Sequence, residues 1–168
     1  MNKRETEEKF IATIRQHERV IYKVCSFYVS SELPKEDLFQ EVVYNLWRGF
    51  SKFRDECSVS TWIYRVTLNT CISGLRKESK HPKSSIAALP LEQTLPEPEN
   101  AEMEEKINEM YRLINQLKTL EKAIILLYLE DKSYQEIADI TGLTVNNVAI
   151  KLNRAKEKMR KKTTAKNQ

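Results

Sequence analysis

Glycine and long apolar runs are scarce in this chain. Only three glycines occur among 168 residues, whereas leucine, isoleucine, glutamate and lysine are abundant, so the composition favours an all-α fold. No apolar run approaches the roughly 20 residues that a bilayer-spanning helix needs. The N-terminus, MNKRETEEKF, lacks the apolar segment of a signal peptide. We therefore expect a cytoplasmic protein with no membrane segment.

Cysteine and histidine are also sparse. The three cysteines, Cys25, Cys57 and Cys71, are odd in number and widely spaced, which fits neither a CxxC metal site nor a disulfide framework. We interpret them as reduced thiols that fill apolar space. His17 and His81 are too far apart in sequence to suggest a local metal pair. Since no glycine-rich phosphate loop or G-x-S-x-G motif occurs either, we expect no catalytic residue, metal or cofactor.

Proline is concentrated in one segment. Four of the five prolines lie between Pro82 and Pro98, where they interrupt any helix. A loop of that length inside one compact domain would be unusual. Residues 81–103 are therefore predicted to be a flexible linker that joins two small helical domains, 1–80 and 104–168.

Charge is distributed unevenly along the chain. Residues 92–109 contain seven glutamates against Lys106, whereas residues 144–162 contain seven lysines and arginines against Glu157. This asymmetry suggests that the C-terminal end meets a polyanion. A basic end can also be an ordinary solvated surface, and that alternative stays open.

Apolar residues at helical spacing predict three helices in the first domain. The first covers about residues 5–30. The second opens near Pro34 and runs to about Phe50, with acidic side chains in its first turn. The third begins after Ser60, which is predicted to be its N-cap, and runs to about residue 80. A short polar loop, SKFRDECSV, separates the second helix from the third.

The second domain is predicted to contain an amphipathic helix (101–117), a very apolar helix (123–129) and a helix-turn-helix. Ser133 and Glu136 have the spacing of a capping box. Gly142 lies where the chain must turn, a position that suits a positive φ.

The outward face of the second helix in this motif is typical of DNA recognition. Val148 and Leu152 are predicted to point inward, while asparagine, lysine and arginine side chains face outward and can pair with base edges or phosphates. A plain helical hairpin with a solvated basic face is the alternative. The predicted DNA-contacting residues are Thr144, which also caps the helix, Asn146, Asn147, Ile150, Lys151 and Arg154.

The second helix of the first domain is amphipathic. Leu38, Val42 and Leu46 are predicted to pack inward. Four residues at positions i, i+3, i+4 and i+7 form what we call the polar stripe: Asp37, Gln40, Glu41 and Tyr44. Trp47, at the end of this stripe, is either a binding anchor or a core residue.

The following loop and helix combine aromatic and basic side chains. Phe53 lies between Lys52 and Arg54, where it can stack on an unpaired base while the cations hold phosphate, or can instead fold under as a core residue. One line of the third helix collects groups that recognise nucleic acid. This line contains Trp62, Arg65, Asn69, Ser73 and Arg76, with Lys77 beside it. Trp62 either stacks on a base or packs beneath the loop.

The order of these blocks resembles the extracytoplasmic-function (ECF) group of bacterial sigma factors, in the sigma-70 superfamily, over nearly the whole chain. EDLFQEVVYNLW (36–47) is similar to that family's region 2.1–2.2, and FRDECSVSTWIYRVTLNTCISGLRK (53–77) to region 2.3–2.4. LKTLEKAIILLYLEDKSYQEIADITGLTVNNVAIKLNRAKEKMR (117–160) is similar to region 4. Two positions depart from the family, with Lys118 in place of a common proline and Ser73 in place of a frequent aspartate.

The resemblance implies a sigma factor, and not an enzyme, that binds core RNA polymerase and directs promoter-specific transcription initiation. The polar stripe and Trp47 would contact polymerase. Residues 52–54 and the line on the third helix would capture the −10 strand, and the helix-turn-helix would read the −35 duplex. An anti-sigma factor is a further implied partner. The alternative is a stand-alone helix-turn-helix regulator, while an all-helical enzyme would need a cluster of titratable groups that the sequence does not contain.

Overall fold

Two helical units make up the part of the chain that the computed structural model describes, which is residues 2–79 and 100–167, with side chains omitted for residues 76–79. We call residues 2–79 unit 1 and residues 100–167 unit 2. Within these ranges every regular element is a helix, which confirms the predicted all-α fold. The helices are α1 (Lys3–Ser26), α2 (Lys35–Phe50), α3 (Val59–Ser79), α4 (Ala101–Asn115), α5 (Thr119–Leu129), α6 (Tyr134–Thr141) and α7 (Val145–Lys166).

Most of the predicted linker lies outside the described residues. Its last three residues, 101–103, form the first turn of α4, which Asn100 caps by accepting a hydrogen bond of 2.8 Å from the backbone N–H of Met103. None of the helices in the two described ranges combines the length and the apolar character needed to cross a membrane.

Unit 1 is a three-helix arrangement in which each helix packs against the other two. The inward positions predicted for α2, Leu38, Val42 and Leu46, are completely buried. Ile21 of α1 and Ile63 of α3 are equally buried. Apolar faces from all three helices therefore meet in one core, and the polar stripe of α2 is left on the outside.

The helix α1 ends at Ser26, four residues earlier than predicted. Ser30, which was predicted to end the helix, instead closes a turn with Leu33. Its hydroxyl oxygen accepts from the backbone N–H of Leu33 at 3.0 Å, and its own N–H donates to the Leu33 carbonyl at 3.2 Å. A serine side chain that bonds nearby backbone competes with helix continuation. Phe27 and Tyr28 are buried, so the connection is itself part of the core.

The predicted N-cap of α3, Ser60, is wrong, and Ser58 has that role. The Ser58 hydroxyl oxygen accepts from the Thr61 backbone N–H at 3.1 Å, and the Ser58 carbonyl accepts from the Trp62 N–H at 3.0 Å. The N-cap is the residue whose carbonyl accepts the first intrahelical bond. The helix therefore begins at Val59.

Two features fix α3 against its neighbours. Asn45 of α2 donates from its side-chain amide to the Thr70 hydroxyl oxygen at 3.1 Å, and that hydroxyl donates to the Val66 carbonyl at 2.8 Å. At Gly74, a Cβ atom would come within 2.8 Å of a Leu33 methyl carbon. Only glycine permits that approach without a shift of its neighbour.

Unit 2 is built around α5, whose residues 122–127 are all buried. The helix begins at Thr119, four residues before the predicted start. Lys118 precedes it in extended conformation, and its N–H donates to the Glu121 carboxylate at 3.4 Å. The long helix α7 packs against α4, α5 and α6, so its orientation is fixed by three neighbours.

Candidate functional site

The polar stripe on α2 is on the surface of unit 1. Asp37 and Gln40 are exposed, Glu41 is half-buried, and the Tyr44 side chain is 60% exposed. Arg48 places its guanidinium 5.7 Å from the centre of the Tyr44 ring, which is within the range of a cation–π contact. The four predicted residues therefore share one accessible face, with two carboxylates and a large exposed aromatic ring.

Trp47 is both packed and accessible. Its ring meets the edge of Phe10 with centroids 5.1 Å apart, yet the residue is 37% exposed. It lines an open groove of about 370 Å³ together with Phe10, Phe39, Gln40, Val43 and Tyr44. Since the groove adjoins the polar stripe, an apolar depression and a charged, hydrogen-bonding edge form one continuous surface.

The loop at residues 51–58 carries two exposed basic side chains on either side of a half-buried phenylalanine ring. Lys52 and Arg54 are exposed, while Phe53 is half-buried. The Phe53 ring lies on Trp62, with centroids 5.0 Å apart and planes inclined by 31°. Asp55, with φ of 55°, makes the left-handed turn in the loop, a conformation that aspartate adopts more readily than most residues.

Trp62 lies beneath the loop, which was one of its two predicted placements. Phe53 covers it from the loop side. On the α2 side, a Cβ atom on Gly49 would be only 3.1 Å from Trp62 Cζ2. The indole is half-buried between them, so its first role is to support the loop.

The predicted line along α3 is partly exposed. Asn69 and Ser73 are exposed, whereas Arg65 is half-buried and engaged in contacts. Arg76 and Lys77 are in the last turns of α3, and their side chains lie outside the described residues. Thr70, next to Asn69, is held by the Asn45 hydrogen bond. The DNA-facing role of this line remains a prediction.

The turn chemistry of the helix-turn-helix is as predicted. The Ser133 hydroxyl oxygen accepts from the Glu136 N–H at 3.1 Å, and the Glu136 carboxylate accepts from the Ser133 N–H at 2.7 Å. Hydrogen bonding of the Glu136 carboxyl to Ser133, first to its backbone N–H and then to its hydroxyl, lowers the pKa of Glu136 below its ordinary value. Gly142 ends α6 in the left-handed region, with φ of 76°. The Thr144 hydroxyl oxygen caps α7 by accepting from the Asn147 N–H at 3.1 Å.

The first turns of α7 have a buried side and an exposed side. Val148, Leu152 and Ala155 are completely buried against the rest of unit 2. The predicted DNA-contacting residues lie on the other side, with Lys151 half-buried and the rest exposed: Thr144, Asn146, Asn147, Ile150 and Arg154. This arrangement leaves a polar, basic face with one apolar residue, which suits contact with a DNA groove.

The second half of α7 carries contacts that the sequence analysis missed. Lys158 donates to the Glu121 carboxylate at 2.7 Å, Lys162 to the Gln116 side-chain oxygen at 2.7 Å, and Lys166 to the Glu109 carboxylate at 2.8 Å. We call these three lysines the lysine ladder. Their spacing of four residues places them on one helix face, and it was the only signal in the sequence that could have revealed them.

The lysine ladder also shifts the pKa of its acidic partners in unit 2. Burial alone would raise the pKa of Glu121, but hydrogen bonds from Lys158 and from the Lys118 backbone outweigh it and lower the pKa. The hydrogen bond from Lys166 likewise lowers the pKa of Glu109. The basic end of the chain is therefore partly neutralised by its own acidic residues, and its contact with a polyanion stays a prediction.

Potential metal ligands and thiols are the remaining groups of interest in the described residues. They contain no group of three or more histidine, cysteine, aspartate or glutamate side chains that could hold a metal ion. Cys25 and Cys71 are free and completely buried. A hydrogen bond between the two thiols, together with burial, raises the pKa of Cys71. A buried thiol with a raised pKa is a poor nucleophile, so Cys71 fits the interpretation as a residue that fills apolar space.

Two helical units, one of which carries a capped helix-turn-helix with a polar, basic outer face, define a protein of the DNA-binding helix-turn-helix class. Family models identify it further. The model for sigma-70 region 2 matches residues 13–81, and the model for sigma-70 region 4 matches residues 107–159. Together they match well over half of the chain. The chain therefore belongs to the sigma-70 family, in its ECF group, and its role is to direct transcription initiation.

Curated relatives agree with this assignment. The chain is 29% identical over 158 residues to the ECF RNA polymerase sigma-E factor of Escherichia coli strain K12, covering 88% of this chain and 82% of that protein. It is 28% identical over 162 residues to the RNA polymerase sigma factor SigV of Bacillus subtilis strain 168, covering 95% of each.

Solved structures show the same fold. CnrH, in complex with the cytosolic domain of CnrY, matches with a TM-score of 0.67 at 17% identity, over 95% of this chain and 90% of that one. The sigma factor RpoE of Bartonella quintana, in complex with the anti-sigma factor NepR, matches with a TM-score of 0.68 at 16% identity, over 94% of this chain and 95% of that one.

Proposed function

We propose that this sigma factor binds core RNA polymerase and captures the −10 strand through residues 1–80, and reads the −35 duplex through residues 104–168. The observation that carries the proposal is the surface on α2, where an exposed polar stripe adjoins an apolar groove. A helix-turn-helix alone is common to many regulators, whereas this second surface gives unit 1 a partner of its own. The protein does no chemistry itself and works by differential affinity for opened promoter DNA.

The α2 surface suits docking on a basic helix of polymerase. Asp37 and Glu41 supply negative charge that fixes orientation. Trp47 and Tyr44 supply aromatic area of the kind that dominates binding energy at protein interfaces. Because the Trp47 ring is already held against Phe10, little conformational freedom is lost when a partner covers it.

The −10 strand would be held at the 51–58 loop and the exposed line of α3. Extruding a base costs a few kcal/mol, and contacts with the extruded strand must return this energy. Lys52 and Arg54 are placed to hold phosphates. Phe53, half-buried on Trp62, offers its outer edge to a base, and Asn69 offers an amide that can donate and accept hydrogen bonds.

The −35 duplex would be read by the first turns of α7. Asn146 and Asn147 can make paired hydrogen bonds to adenine, Arg154 can bind guanine or phosphate, and Ile150 can touch a thymine methyl group. Lys151 would add a phosphate contact. The buried side of the same turns holds these groups on a rigid element.

The proposed function also implies a role for the linker, a further protein partner and a cellular location. The acidic linker would thread a basic channel of polymerase as a mimic of nucleic acid, although it lies largely outside the described residues. An anti-sigma factor is proposed because two solved structures of similar fold are complexes, CnrH with the cytosolic domain of CnrY and RpoE with the anti-sigma factor NepR. We propose a cytoplasmic location, where polymerase and promoter DNA are found.

The alternative of a stand-alone helix-turn-helix regulator accounts for unit 2 only. Such a regulator needs a dimer interface to match a palindromic site. Unit 1 instead matches the sigma-70 region 2 model.

Reconstitution with core polymerase tests the proposal. We expect the purified protein to co-migrate with core enzyme and to direct initiation from a promoter fragment that the resulting holoenzyme enriches from a randomised DNA pool. Failure of both would refute the proposal.

A charge change on the polar stripe tests the docking surface. Asp37→Arg combined with Gln40→Ala is expected to abolish core binding while the helix content stays the same. Glu36→Arg is the matched control, because Glu36 is an exposed acid in the same helix turn and lies outside the stripe. Normal core binding by the double variant, or equal loss in the control, would refute docking at this surface.

A further inference from the structure

A second depression in unit 1 lies between the first turn of α1 and the C-terminal end of α2. We call it the notch. It has a volume of about 300 Å³ and is lined by Lys3, Thr6, Trp47, Arg48 and Ser51. Trp47 also lines the groove beside the polar stripe, so the two depressions share one ring. No acidic residue from the described part of the chain lines the notch.

Three of the lining side chains have hydrogen-bond donors that no acceptor satisfies. Lys3 and Arg48 are exposed, and neither forms an ion pair within the two described ranges. The Ser51 hydroxyl is exposed and has no hydrogen bond in the same ranges. The Thr6 hydroxyl differs, because it donates to the Asn2 carbonyl at 3.2 Å. Two cations and one hydroxyl are therefore open to a ligand.

The carboxylates in the first turns of α1 do not balance these cations. Glu5 accepts from the Asn2 backbone N–H at 2.9 Å, and Glu8 pairs with Arg4 at 3.2 Å. Glu7 forms no ion pair among the residues that the structure describes. The notch thus has an excess of donors and of positive charge, which suits an anion.

A phosphate group fits this donor set. Arginine and lysine are the side chains that most often hold phosphate, with hydroxyls as additional donors. The strand proposed at the 51–58 loop is the nearest source, because Ser51 lines the notch and is also the first residue of that loop. The Lys52 N–H donates to the Gly49 carbonyl at 3.0 Å, so the start of the loop is fixed to the end of α2.

We propose that the notch is a phosphate-binding subsite for the single strand, in which Lys3, Arg48 and Ser51 hold one phosphate beyond those that Lys52 and Arg54 contact. The inference rests on the proposed function of the loop and adds a contact outside it. A phosphate contact carries no base information. The notch therefore contributes to the affinity for any promoter strand and not to the choice among strands.

A scan with uncharged phosphates tests the proposal. Holoenzyme is titrated with the non-template −10 strand of the fragment that it enriches from a randomised pool, and each phosphate in turn is replaced by methylphosphonate. In the wild type, replacement of the phosphate held at the notch should lower the affinity about fivefold. In Lys3→Gln with Arg48→Gln, the unmodified strand should bind about fivefold more weakly, and the same replacement should have no further effect.

Lys9→Gln with Arg15→Gln is the matched control. It removes the same charge from exposed positions of α1 that do not line the notch. The control should bind the unmodified strand as the wild type does and should keep the full response to methylphosphonate. Independent effects of the notch variant and of methylphosphonate at every position, or an equal loss of affinity in the control, would overturn the inference.

Two further measurements distinguish other ligands of the notch. Core affinity is measured without DNA, and ATP is titrated in the absence of DNA. A loss of core affinity in the notch variant with an unchanged scan would assign the cations to polymerase, and ATP binding that this variant loses, again with an unchanged scan, would assign them to a free nucleotide. Either result would overturn the assignment to the strand. If wild-type holoenzyme binds no single-stranded probe, the proposed function fails first, and the two failures are thereby distinguished.

Discussion

The lysine ladder leads to a prediction about the salt dependence of promoter binding. Lys158 and Lys162 lie in the basic segment that the sequence associates with a polyanion, and Lys166 follows it. In unit 2 these lysines donate to Glu121, Gln116 and Glu109, respectively. We expect that replacing all three ladder lysines by glutamine leaves the contacts between the protein and the DNA phosphates intact. By contrast, Lys151→Gln with Arg154→Gln removes cations from the face that is proposed to meet DNA.

The expected magnitudes follow from counterion release. Each phosphate contact contributes about 0.9 to the slope of log K against log salt concentration. Loss of two contacts, at Lys151 and Arg154, should reduce the steepness of that slope by about 1.8, whereas the triple ladder variant should change it by less than about 0.5. If the ladder lysines met phosphates instead, their loss would reduce the steepness by about 2.7.

The assay is a salt titration of holoenzyme binding to the enriched promoter fragment, run in parallel for wild type and both variants. Contributions from core polymerase are common to all three and cancel in the comparison. A lower melting temperature for the ladder variant is expected, because Glu121 is left partly buried without its cation. A reduction of more than about 2 in the steepness of the ladder variant's slope would refute the internal role of these lysines.

Three further predictions concern stability. Gly142→Ala should cost about 1–2 kcal/mol of unfolding free energy in urea denaturation, because a left-handed residue there carries a Cβ penalty; a variant as stable as wild type would contradict this reasoning. The pKa of Glu136 is lowered from 4.5, so its contribution is present above pH 4.5 and lost as pH falls through the lower folded-state value. Melting temperature should therefore drop on acidification in wild type and less steeply in Glu136→Gln, and equal slopes would count against the Ser133 capping box. Thr70→Val should cost about 1 kcal/mol by removing the acceptor of the Asn45 amide, whereas Thr70→Ser should retain it; equal loss in both variants would show that the hydroxyl is not responsible.

Features governed by neighbouring residues were predictable from the sequence. The capping box at Ser133, the turn at Gly142 and the inward positions of α2 depend on short-range chemistry and helical period, and the structure confirms them. The end of α1 and the start of α3 were displaced by two to four residues. In both places a serine hydroxyl, at Ser30 and at Ser58, accepts a hydrogen bond from a nearby backbone N–H. The sequence alone does not show which of several neighbouring serines makes such a bond.

Features that depend on contacts between distant residues could not be predicted. The placement of Trp62 is set by Gly49 and by Phe53, which meet it only after α2 and α3 have packed. The two thiols that touch in the core, Cys25 and Cys71, come from α1 and α3. The partners of the lysine ladder are 37 to 57 residues away along the chain. Helical period places a side chain on a face, but it does not identify the neighbour across from it.

Within α7, the residues that anchor the helix differ from those that are proposed to read the −35 duplex. The buried row, Val148, Leu152 and Ala155, and the lysine ladder beyond it keep the helix in place. The side chains at positions 146, 147, 150 and 154 lie on the exposed side of the helix. Under the proposed −35 readout, new base preferences can therefore arise by surface substitution alone, without repair elsewhere in the protein. The same property makes the helix a suitable starting point for libraries of sigma factors with orthogonal promoters.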